Sequence, residues 1–125
     1  MSWSEYVEKQ LIGTGAVTSG AILGHDGSIW AQSANFKIQG SEGAALNALI
    51  GTPAPFESGI MLGGVKYMCI KSEERSLYGK KGAAGVVIVR TGQAIIVATY
   101  DENLQPGQCT LVVEKLADYL VENNF

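Results

Sequence analysis

The chain has 125 residues, 46% of them hydrophobic and 17% charged, with a formal net charge of −3. That is enough for one real hydrophobic core, too little for two, and too apolar for a disordered chain. The charge balance offers no global field for nucleic acid, no apolar run reaches the roughly 18 residues of a membrane span, and no signal peptide opens the chain, so one cytosolic domain over residues 1–125 is expected.

Ser2 and Glu5 stand at capping-box spacing, which predicts a helix from Trp3 to near Gly13 and Gly15. Trp3, Val7 and Leu11 share one face of it, and Tyr6 falls about 100° off that stripe. Next, AVTSGAILG and SIWAQS flank His25-Asp26-Gly27, a tight-turn signal between two β-rich runs. SEGAALNALIG predicts a short helix capped by Ser41, and TPAPFESG, punctuated by Pro53 and Pro55, a loop or single turn.

VKYMCIK alternates, with Val65, Tyr67 and Cys69 on one face and Lys66, Met68 and Ile70 on the other. SEERS is a polar turn before SLYGKKG. VVIVR and AIIVATY, joined through Arg90-Thr91-Gly92-Gln93, are near-continuous apolar runs, as central strands covered on both faces require. DENLQPG ends the sheet, and a long helix is predicted from about Gln108 to Asn123 with Cys109, Val113, Leu116 and Leu120 as its inward stripe. The expected plan is α+β: a mostly antiparallel sheet, short helical insertions and a helix at each end.

Motifs of catalysis fail here. In GTGAVTSG, Thr18 holds the third-glycine place of a dinucleotide fingerprint, and a helix precedes it rather than a strand. GKKGAAG lacks the Lys-Ser/Thr ending of a phosphate loop. The one histidine, His25, lies in a turn, and the carboxylates fall mostly in turns and on helix surfaces, so neither a metal set nor a general acid–base pair assembles. The two cysteines permit a disulfide, but their places in a strand and a helix interior favour free, buried thiols. The reading is a protein that is not an enzyme and uses no cofactor.

Two features remain. Tyr119 lies about 100° off the core stripe of the last helix, as Tyr6 does on the first. If the terminal helices pack side by side, these rings, with Trp3, Trp30 and Phe125, meet in the seam. Core filling is the plain alternative, but terminal aromatics off the core stripes are poorly explained by packing alone. An aromatic groove suits a proline-rich ligand, whose extended conformation is preformed and whose carbonyls accept from tyrosine and indole donors. The second feature is a basic stretch containing Lys66, Lys71, Arg75, Lys80, Lys81 and Arg90 against only Glu73 and Glu74, with Lys115 near it on the last helix. Leu111 adds an apolar residue on that helix's polar face. Such a stretch is either ordinary solvated strand edge or a surface for an acidic protein or anionic lipid.

SWSEYVEKQLIGTG, AILGHDGSIWAQS, LGGVKYMCIKSEERSLYGKKG, GVVIVRT and CTLVVEKLADYLVENNF, in this order and spacing, resemble the profilin family. The segment between Phe36 and Ser58 matches none of its motifs. The resemblance implies a central antiparallel sheet with both terminal helices on one face and small helices on the other. It implies a cytoplasmic, cytoskeletal monomer that binds monomeric actin, proline-rich proteins such as formins and phosphatidylinositol bisphosphate, but no nucleic acid. By similarity the poly-proline groove falls on Trp3, Tyr6, Trp30, Tyr119 and Phe125, where some members end in tyrosine. The actin face falls on Lys71, Arg75, Lys80, Lys81, Arg90, Glu114 and Lys115, and the phosphoinositide site on Lys66, Arg75, Lys80 and Lys81. The rival plan is a roadblock or longin-like scaffold for small GTPases, which shares helix–sheet–helix order without converging aromatics.

Overall fold

The apolar runs of the sequence become paired strands in the middle of a seven-stranded antiparallel sheet, in a computed structural model that describes residues 2–125. The strands are β1 (Ser19–Gly24), β2 (Ile29–Gln32), β3 (Ile60–Leu62), β4 (Val65–Ser72), β5 (Ser76–Lys81), β6 (Ala84–Arg90) and β7 (Ala94–Tyr100). Their spatial order is β2-β1-β7-β6-β5-β4-β3. Among the described residues the β1–β7 pairing, with Ala21 opposite Val97, is the one that joins segments distant in sequence; the rest are neighbours along the chain. Side chains alternate across a strand, so β6 and β7 supply both cores. Val87, Val89, Ile96 and Ala98 point to one face; Val86, Ile88, Ile95 and Val97 point to the other.

The first face is covered by the two terminal helices. The first helix, α1, is α-helical only over Trp3–Glu5, widens to π-helical over Tyr6–Leu11 and closes with a 3-10 turn over Ile12–Thr14. The Ser2 hydroxyl accepts from the Glu5 N–H at 3.2 Å, as the cap spacing predicts. The widened turn is visible at Ile12, whose N–H reaches the carbonyls of both Glu8 and Val7. Val7 and Leu11 are fully buried as expected, and Gly15 ends the helix at φ 78°, a left-handed conformation that glycine adopts without steric cost. The last helix, α4 (Pro106–Glu122), begins two residues earlier than expected because Pro106 serves as a helix-starting residue. Its stripe of Cys109, Val113, Leu116 and Leu120 is buried on the sheet.

The opposite face is closed by the segment that the sequence left without a motif. It forms α2 (Gly40–Leu49) and the single turn α3 (Ala54–Ser58), and brings Phe36, Ile38, Leu46 and Ile50 onto the second core. The expected cap at Ser41 is corrected: Gln39 precedes the helix, and its N–H donates to Glu42 Oε1 at 2.9 Å. The Glu42 carboxylate also accepts from the N–H groups of Gly63 and Gly64, which fastens α2 to the β3–β4 turn. Cys69 and Cys109 are both free and buried.

Candidate functional site

Five aromatic rings from three elements and the end of the chain form one connected path. Trp3 is its hub. Its centroid lies 4.8 Å from Trp30, 5.1 Å from Phe125 and 5.5 Å from Tyr6, and Tyr6 lies 6.1 Å from Tyr119. The Phe125 ring meets Trp3 edge-on at 88°, a favourable aromatic geometry. Trp3, Tyr6 and Trp30 are half-buried, packed on the first core from below, while Tyr119 and Phe125 are exposed. Rings backed by core and open to solvent on the other side are held in place without being used up by packing. The neighbouring Tyr119 side chain, and after it burial, raise the Tyr6 phenol above its ordinary value of 10.0, so Tyr6 stays a neutral donor at pH 7.

Three of the rings are positioned by local devices. The wide π-helical turn of α1 carries Tyr6 on the flank beside α4 while Val7 and Leu11 stay buried. Trp30 follows the β1–β2 hairpin, where Asp26 Oδ1 accepts from the Ser28 N–H at 3.0 Å and hydroxyl at 2.7 Å. Phe125 is tied by its main chain to the β6–β7 turn. Its carbonyl accepts from Thr91 Oγ1 at 2.7 Å and from the Gln93 N–H, and the Asn124 carbonyl accepts from Gln93 Nε2 at 2.9 Å. His25, without a partner in the sequence reading, faces the Thr91 carbonyl at 2.9 Å and braces the same turn.

The basic stretch does not stay together. Arg75 turns to α4, where Nη2 donates to Glu114 Oε1 at 2.7 Å and Asp118 Oδ1 at 2.9 Å. Ser76 and Tyr78 donate to Glu114 Oε2 at 2.8 and 2.7 Å, so this carboxylate is saturated by β5. Burial raises the Glu114 carboxyl, but the bonds from Tyr78, Ser76 and Arg75 outweigh it and leave it below its ordinary value. Lys71 pairs with Glu73 at 3.0 Å and stands 5.7 Å from the centre of the Tyr78 ring. Arg90 points to the other face of the sheet, donating to Asn47 and to the Glu74 carbonyl, and so is separated from Glu114. Lys115 lies on the α1 side of α4, beside Tyr6 and Tyr119. Lys66, Lys80 and Lys81 do converge, bordering one shallow groove with Phe56 and Glu57, and none forms an ion pair among the described residues. Met68 and Ile70 stand exposed nearby, at 66% and 49%.

Neither the saturation of Glu114 nor the place of Gln10 between the first helix and α4, beside Tyr6 and Tyr119, follows from the sequence alone. A signal for the second exists, since Gln10 follows Tyr6 by four residues and shares its flank. Among the described residues no group of three or more His, Cys, Asp or Glu could hold a metal ion, and no helix is long and apolar enough to cross a membrane.

The family model described as Profilin matches residues 1–125. Profilin-P of Physarum polycephalum is 54% identical, with all of both chains covered. The solved structure of Acanthamoeba castellanii profilin IB superimposes at a TM-score of 0.96 with 47% identity, over 99% of this chain and 100% of that one. Mouse profilin IIa, solved with a double repeat from the FH1 domain of mDia1, shares the fold at a TM-score of 0.81 and 22% identity, with both chains fully covered. These matches decide for the profilin plan against the roadblock or longin-like one. The chain belongs to the profilin family.

Proposed function

We propose that this profilin binds monomeric actin and proline-rich ligands at separate surfaces and so regulates actin polymerisation, acting by binding alone, as a single-domain monomer of the cytoplasm and cytoskeleton. The observation that carries the reading is the connected path of Trp3, Tyr6, Trp30, Tyr119 and Phe125. Rings at these spacings offer faces on which successive prolines of an extended ligand can stack. Tyr6 and Tyr119 hydroxyls are available to its unpaired carbonyls. The mouse relative's formin FH1 repeat is a ligand of that chemistry.

The actin surface comprises the outer side of β4 and β5 and the adjoining flank of α4: Lys71, Lys80, Lys81 and the linked pair Arg75 and Glu114. Exposed Met68, Ile70 and Leu111 give it apolar area. Lys66, Lys80 and Lys81 are also the phosphoinositide site, where three unpaired ammonium groups attract a multiply charged headgroup. Trp3 and Trp30 are the only tryptophans, so intrinsic fluorescence titrated with proline peptides of increasing length reads the groove directly. A saturable, length-dependent change is expected, and Trp3→Ala should abolish binding followed with a labelled peptide. A flat signal in the parent protein would refute the groove.

A further inference from the structure

The aromatic path does not end at Tyr6 and Tyr119. Both rings also wall a cavity of ≈ 480 Å³ between α1 and α4, completed by Gln10, Thr14, Val112, Leu116 and Lys115. Tyr6, Gln10 and Thr14 recur every four residues along the first helix, so they form its wall; Val112, Lys115, Leu116 and Tyr119 form the other. Thr14 is already committed, since its hydroxyl donates to the Leu11 carbonyl at 2.6 Å and accepts from the Ala16 N–H. Lys115 is not. It is exposed and makes no ion pair among the described residues, whereas Lys9, Lys71 and Arg75 each do. Among the described residues no carboxylate lines the cavity.

From this geometry we infer that the cavity is a specificity pocket for an acidic residue flanking the proline run, its carboxylate meeting Lys115 and its methylenes lying on Val112 and Leu116. The inference rests on the aromatic path being the poly-proline groove. Charge complementarity selects the occupant: one free cation, an uncommitted amide at Gln10 and apolar walls fit glutamate better than lysine or a bare proline. The opposite end of the path carries the contrary sign, because Asp26 stands on the hairpin leading to Trp30, its carboxyl held below its ordinary value by the Ser28 hydroxyl. A ligand with one acidic end is therefore oriented, with that end at Tyr6 and Tyr119.

The test uses five blocked peptides: a plain decaproline, the same run with glutamate at its N-terminus or at its C-terminus, and the run with lysine or leucine at the end where glutamate acts. Affinities are read by tryptophan fluorescence at low salt. One glutamate peptide, and not the other, should bind roughly two- to fivefold more tightly than decaproline, with the advantage falling as salt rises. In Lys115→Ala the ratio of glutamate-ended to plain affinity should fall to about one, and in Lys115→Glu the lysine-ended peptide should become the preferred one. Equal affinity for all peptides would keep the groove and overturn the pocket. A leucine-ended peptide that outcompetes glutamate in both parent and Lys115→Ala would overturn it in favour of an apolar pocket. Failure of every peptide to bind would overturn the groove and the pocket with it.

Discussion

Glu114 accepts from Tyr78, Ser76 and Arg75, and each of these donors is 36 or more residues away along the chain. Sequence reading placed Glu114 and Arg75 on a partner face and could not see that they bond to one another, because nothing in VVEK or SEERS encodes the distance between a helix and a strand. The consequence is a pH dependence with two limbs. Glu114 has a folded value below its ordinary 4.5, so the stability it contributes is present above that pH and is lost as pH falls through the folded value. Burial first, and then the Glu114 carboxylate, push the Tyr78 phenol from 10.0 up to about 12. Its contribution is intact below pH 10 and lost as pH rises toward 12. Urea unfolding across pH should show Glu114→Gln less stable by about 1–3 kcal/mol at pH 7 with a flatter acid limb. Tyr78→Phe should flatten the alkaline limb. Identical pH profiles in parent and variants would contradict the assignment.

Between elements, the contact that sets the Trp30 end of the groove is backbone against backbone. Gly27, at φ 89°, ends the His25-Asp26-Gly27 turn and lies against α2 so closely that a Cβ there would come within 2.6 Å of the Ala44 Cα. Reciprocally, a Cβ on Gly43 would come within 2.9 Å of the Gly27 carbonyl. The turn was legible from its residue types, and β1 and β2 were found where expected, but its docking on α2 was not. That helix buries only Gly43 and Leu46, so GSEGAALNAL carries little of the periodicity by which the last helix announced itself. Its cap was misread for a related reason: Gln39 is a weaker cap signal than Ser41, and its cooperation with Glu42 is visible only in space. Gly27→Ala should cost about 2–4 kcal/mol, combining a left-handed conformation with a clash that neither backbone can relieve. Chemical denaturation checks this. Because β2 carries Trp30, the surviving folded protein should also bind poly-proline more weakly. A stability loss below 0.5 kcal/mol would show that the turn can lift off α2.

Across the whole molecule, the two proposed binding surfaces share only α4, whose Tyr119 faces the first helix and whose Glu114 faces β5; their other residues stand on different elements. The rings stand on the first helix, β2, one flank of α4 and the end of the chain; Lys80 and Lys81 stand at the end of β5, opposite Met68 and Ala84 in the sheet register. Between them β7, in the interior of the sheet, is buried along its whole length, and such close-packed interiors deform little. The two surfaces meet only on that one helix, so each is expected to bind its ligand independently of the other. Lys81→Glu reverses a charge on an exposed, unpaired side chain next to a left-handed glycine turn, so its effect on folding should stay within about 0.5 kcal/mol. It should weaken actin binding about five- to thirtyfold, mostly through slower association, and this loss should shrink as salt screens the field. Poly-proline affinity should remain within about twofold of the parent, because the substitution is remote from every ring in the path. Binding kinetics for both ligands, measured at low and moderate salt on the same preparation, separate the cases. Parallel loss of both activities with an unchanged urea midpoint would mean that the surfaces communicate, and the two-surface reading would fall. Loss of poly-proline binding alone would place the basic edge in the groove instead, against the position of every aromatic ring described above.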